Sequence, residues 1–148
     1  MEYRMKNFGK LLLTLLLCFS VVGCSNSKST ENITKELKEA GYTIKYNSDE
    51  YTTVTVSESS GGKEKSQYIG YVEDDAISSI AYIELPEDSE NYEDMIIGFI
   101  YASEDSDSEV TDTVKEAAEK KLEKLDLTID DLAKYFLDIH KDKGESLN

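Results

Sequence analysis

The chain has 148 residues, with 31 Asp or Glu against 16 Lys or Arg and a formal net charge of −15. That length supports one ordinary hydrophobic core rather than two, and a field of that sign excludes a nucleic-acid partner. Its two cysteines, Cys18 and Cys24, both fall within the first 24 residues. The chain beyond Cys24 therefore has no cysteine nucleophile, thiol redox motif, Cys-based zinc site or disulfide.

Residues 1–10 carry Arg4, Lys6 and Lys10, the positive start of a signal peptide. The apolar run Leu11 to Val22 comes next. As a helix it would reach only about 18 Å, too short for a hydrocarbon core of about 30 Å. It ends in Val21-Val22-Gly23-Cys24, which resembles the lipobox of bacterial lipoproteins. The resemblance implies that residues 1–23 are a signal peptide and that Cys24 receives a diacylglyceryl thioether before cleavage after Gly23. It also implies a cell-membrane location on the extracytoplasmic side, with lipid on Cys24 as the contact to the membrane. It covers no residue beyond Cys24. Losing residues 1–23 removes Arg4, Lys6 and Lys10 against Glu2, so the remainder carries −17 and disfavours a second, electrostatic membrane contact. Residues 24–30 read as the lipidated cysteine and a polar tether, the last six spanning about 13–15 Å as a flexible coil.

Residues 31–148 read as a single α+β domain. Ile33, Leu37 and Ala40 recur at helical spacing, and Gly41 stands where a helix ends in a left-handed residue. Tyr42 to Tyr46 alternates as a half-buried strand, Asn47 to Glu50 is turn chemistry, and Tyr51 to Ser57 is a second strand. Glu58 to Lys65, with Gly61-Gly62, reads as a hairpin tip. Gln67 to Glu73 and Ile77 to Leu85 are strands joined at Asp74-Asp75. After an acidic loop, Met95 to Ala102 is the most apolar strand. Its apolar residues fall on both faces, which predicts a central place in the sheet. From Ser108 the period turns helical, through Val110, Val114, Ala117, Ala118, Leu122 and Leu125, with Lys121 interrupting the stripe. Thr128 is placed as N-cap of a last helix with Asp131 at N3, and that helix should stop by Gly144. The expected architecture is one helix, an antiparallel meander of about five strands, and two C-terminal helices packed on one sheet face.

Chemistry-bearing residues are sparse. Asp105, Asp107 and Glu109 alternate in a loop with Glu116 at the twelfth position from Asp105, an oxygen-rich pattern suited to a hard cation. Val110 replaces the glycine such a loop needs, and the other reading is negative charge at a helix start. Glu87, Asp88, Glu90, Glu93 and Asp94 read as a solvated run rather than an acid–base pair. His140, the one histidine, is expected to interact with the C-terminal end of its helix, and no triad or multi-histidine site can be assembled around it. Nine tyrosines lie beyond Cys24. Several of them together on an uncovered sheet face would form a recognition surface for protein, peptide or glycan. The expected function is a membrane-anchored, non-enzymatic binding or interaction module without a cofactor. The alternative is a cation- or small-ligand-binding lipoprotein using residues 105–109.

Overall fold

A computed structural model describes residues 28–86 and 92–146. The expected signal peptide, Cys24, the tether as far as Ser27 and the acidic stretch 87–91 lie outside the described residues.

The folded unit starts earlier than its periodicity implied. Lys28, Ser29 and Thr30, expected as tether, are part of the domain. Ser29 is the N-cap of α1 (Thr30–Glu39), its side chain accepting from Asn32 N. The Lys28 ammonium lies 2.8 Å from Glu36 and 2.9 Å from the Leu125 carbonyl. Ile33 and Leu37 are the buried face of α1. Gly41 then adopts φ +91°, a left-handed conformation that a side chain would oppose.

The five strands are β1 (Tyr42–Asn47), β2 (Thr52–Ser60), β3 (Lys63–Glu73), β4 (Ala76–Glu84) and β5 (Ile96–Ala102). They pair antiparallel in the order β1-β2-β3-β4-β5, the expected meander. Two of the hairpins close in two residues. Gly61 and Gly62 have φ +60° and +77°, and Asp74 and Asp75 have +50° and +58°. Positive φ at both central residues is the turn whose twist matches its flanking strands. Asp is one of the few side chains that tolerates it. The first turn is tighter than expected: Glu58 to Ser60 and Lys63 to Lys65 are strand, leaving only the two glycines as tip.

The sequence-based placement of the apolar strand is corrected. β5 is an edge strand, neighbour to β4 alone within the sheet. On its outer side Val110 bridges Phe99, and Thr111 N donates to the Phe99 carbonyl at 3.0 Å. That bridge delays the next helix, so α2 runs Asp112–Glu123 rather than from Ser108. The last helix, α3 (Ile129–Ser146), opens with the predicted reciprocal cap. Asp131 N donates to Thr128 Oγ1 at 3.1 Å, and Thr128 N donates to Asp131 Oδ2 at 2.9 Å. The helix continues through Gly144, where its stop was expected. Glycine inside a helix costs only about 1 kcal/mol and does not by itself end one.

Strand register sorts the sheet into cross-strand rows. On one face lie the rows Tyr42–Glu58–Ser66–Glu84–Ile96, Ile44–Val56–Tyr68–Tyr82–Gly98 and Tyr46–Val54–Gly70–Ile80–Tyr101. All three helices pack there, contributing Ile33, Leu37, Val114, Ala118, Leu122, Leu132 and Phe136 to the core. Two rows need a missing side chain. Gly98 lies under Val114 of α2 and the preceding Thr111, and Gly70 under the Phe136 ring. A Cβ on Gly70 would run into that ring. Gly70→Ala should therefore destabilise the fold by about 1–3 kcal/mol, read as a lower urea midpoint. Adding Phe136→Leu should return part of the loss, which a general strand-propensity effect would not do.

Candidate interaction face

None of the helices α1, α2 and α3 packs on the other sheet face. Register places three rows on it: Thr43–Ser57–Gln67–Ile83–Ile97, Lys45–Thr55–Ile69–Ala81–Phe99 and Asn47–Thr53–Tyr71–Ser79–Ala102. Lys45 is the only charged residue in these rows. Glu64 and Glu73, at the two ends of β3, are the carboxylates that alternation puts nearest on that side. The half built from β1 and β2 is Thr- and Ser-rich, whereas Ile69, Ile83, Ile97 and Phe99 make the β3 to β5 half apolar. Ile97 is 61% exposed, one of two large hydrophobic residues left in solvent among the described residues. In a chain this acidic, a sheet face whose three central rows hold a single charge and are partly apolar stands out from the rest of its surface.

The tyrosine surface expected there does not form. Tyr42, Tyr68 and Tyr82 are buried on the covered face, Tyr135 is buried on α3, and Tyr46 packs against the same core. Tyr101 also packs on that side, and Tyr51, 68% exposed, precedes β2. Of the tyrosines described, Tyr71 alone belongs to the open rows. Tyrosine serves here as core filler with a satisfiable hydroxyl: Tyr68 donates to the Ala118 carbonyl, Tyr82 to Glu84, and Tyr135 bonds Thr34. Burial pushes the Tyr42 hydroxyl up to about 12, with the charge of Glu58 adding to the effect. Burial likewise raises Tyr68 and Tyr82.

Lys121, which breaks the apolar stripe of α2, closes the polar end of the covered face. Its ammonium is 2.6 Å from Glu58 and 3.8 Å from Glu84, and Ser66 donates to the same Glu58 oxygen at 2.9 Å. Glu58, Glu84 and Lys121 line an open groove of about 900 Å³ with Leu85, Pro86, Ile96 and three further lysines, Lys65, Lys120 and Lys124. Glu58, Ser66, Glu84 and Lys121 satisfy one another, and the arrangement holds α2 to the sheet.

The acidic loop does not gather. Asp105, Asp107 and Glu109 are exposed, and Glu116 lies on α2, 3.6 Å from Lys120. Among the described residues no three metal-ligating side chains converge. Nor does His140 serve the end of its own helix. Its Nδ1 lies 2.9 Å from the Tyr46 hydroxyl and its Nε2 2.9 Å from Asp75 Oδ1, joining α3 to β1 and to the β3–β4 turn.

Burial works against ionised Glu58, but hydrogen bonds from Lys121 and Ser66 and the Lys121 charge outweigh it, holding the carboxyl below its ordinary value of 4.5. A depressed carboxyl adds stability that is complete above the unfolded value and disappears as pH falls through the folded one. Glu58→Gln should thus be less stable than the parent at about pH 6, and the gap should close towards about pH 3, measured by urea unfolding. A gap independent of pH would mean that Glu58 contributes packing and no charge. Comparison with protein-family models, with curated proteins and with solved structures finds no match for this chain.

Proposed function

We propose that this chain is a lipid-anchored interaction module on the extracytoplasmic side of the cell membrane, docking through its open sheet face and performing no catalysis. The observation that carries the reading is the composition of that face. Its three rows hold one charge, and Ile97 is 61% exposed at its apolar end. Isolated apolar residues on a surface are ordinary, but a contiguous set framed by polar groups is how docking surfaces are built. Anchoring rests on Val21-Val22-Gly23-Cys24, and no helix among the described residues is long and apolar enough to cross a membrane.

Two measurements test the two halves of this reading. In cells fed labelled palmitate, the chain should carry label and fractionate with membranes, and Cys24→Ala should abolish both. The docking half uses the lack of any cysteine after Cys24. In intact cells, Ile97→Cys should be shielded from a bulky, membrane-impermeant maleimide, whereas Glu119→Cys on exposed α2 should label fully. Equal labelling at both positions would overturn docking through the open face.

A further inference from the structure

We infer that the lysine-lined groove between α2 and the end of the sheet is a peptide site, taking an extended segment of a partner protein with apolar side chains and one or two carboxylates. The groove lies on the covered side, so the inference stands apart from docking through the open face and survives its failure.

A break in strand register builds the sheet wall of the groove. Glu58 pairs with Ser66 and Ser59 with Glu64, so Lys65 has no partner on β2. Strict alternation would turn Lys65 away from Ser66, towards the open face. The bulge re-aims it, and Lys65 lines the groove beside Glu58 and Glu84. Its carbonyl accepts from Leu85 N at 2.9 Å, which carries Leu85 and Pro86 into the same wall. The opposite wall is a ridge of α2, on which Thr113, Ala117, Lys120 and Lys124 follow at helical spacing.

Charge is left over on both walls. The carboxylates are engaged: Lys121 stands 2.6 Å from Glu58 and 3.8 Å from Glu84, and Lys120 stands 3.6 Å from Glu116. Lys65 and Lys124 form no ion pair among the described residues. Lys124 faces across the groove, since its charge helps to keep Glu58 ionised. Two cations therefore remain for a ligand in a chain that is otherwise strongly acidic. The same acidity limits the ligand, because each carboxylate beyond those two would meet a repelling field with no local cation to offset it.

Size and lining fit a peptide. From Thr113 to Lys124 the ridge runs about 17 Å at 1.5 Å per residue, the length of about five residues of extended chain. Leu85, Pro86 and Ile96 offer apolar contact, while the hydroxyls of Ser60 and Thr113 can bond backbone amides. An alkyl chain would leave those hydroxyls and the Lys121 pairs facing hydrocarbon, which favours the peptide over a lipid.

The test uses the full-length chain in zwitterionic nanodiscs and a fluorescein-labelled pentapeptide with blocked ends. The probe carries glutamate at its first and last positions and leucine at its second and fourth. Fluorescence anisotropy should show saturable binding with a midpoint below about 1 mM. Glutamine at both ends of the peptide, or Lys65→Glu with Lys124→Glu in the protein, should weaken it at least about tenfold. Lys134→Glu with Lys141→Glu, the same charge change at exposed positions of α3, should alter it less than about twofold. Absence of saturable binding overturns the inference. So does equal binding of the glutamine-ended peptide, or an equal loss in both double variants, which would make the effect one of bulk charge. Glu87, Asp88 and Glu90 follow Pro86 in sequence. If binding appears only after all three are changed to Gln or Asn, the chain's own carboxylates occupy the groove and a partner's segment is excluded.

Discussion

The missing side chain at Gly70 lets the Phe136 ring lie against the backbone of the middle strand, and the placement of α3 depends on that approach. From there α3 reaches both ends of the molecule's covered side. Tyr135 bonds Thr34, Asp138 accepts from Thr30 on α1, and His140 bonds Tyr46 and Asp75. A helix held away from the sheet by a methyl group at position 70 would lose these polar contacts together, because their geometry tolerates little displacement. The same helix leaves the other face alone: the core is satisfied by three α-helices on one side.

The polar end of the covered face obeys a related logic. Glu58, Ser66 and Glu84 share a cross-strand row with Tyr42 and Ile96, so alternation alone points two carboxylates under α2. Like charges held there would repel, and Lys121 brings the opposite charge to both. Half-burial keeps the pairing from being screened as fully as a surface ion pair would be. The result is a charged patch that anchors α2 while the apolar rows beside it supply the burial.

Much of the fold is legible in the sequence because its local signals agree. The helical spacing of Ile33 and Leu37, the glycine pair at the β2–β3 hairpin and the Thr128 to Asp131 cap each specify local geometry without tertiary help. The placement of β5 is not legible. Apolar residues on both strand faces are compatible with a buried centre or with an edge whose second face is left open, and periodicity does not distinguish the two. The fate of the tyrosines does have a local signal: Tyr42 and Tyr46 share the strand parity of core-facing Ile44, Tyr68 shares that of Val72, and Tyr71 has the other. Lys121 shows in the sequence only as an interruption. Its partners lie more than thirty positions away, and nothing local names them. The candidate face is legible as an open side of the sheet, while the absence of carboxylates from its three central rows emerges only once register aligns them.

The meander also says how the chain can be assembled. Each strand from β2 to β5 pairs with the strand just before it in sequence, so a polypeptide emerging N-terminus first can add each hairpin as it appears, with little loop entropy to overcome. The two ends of the domain are the exception. Lys28 reaches the Leu125 carbonyl, and α1 meets α3 across Thr30, Thr34, Tyr135 and Asp138. Those contacts wait until the last helix has been delivered. Until then the covered face is as bare as the open one, and the growing sheet presents two unsheltered surfaces instead of one.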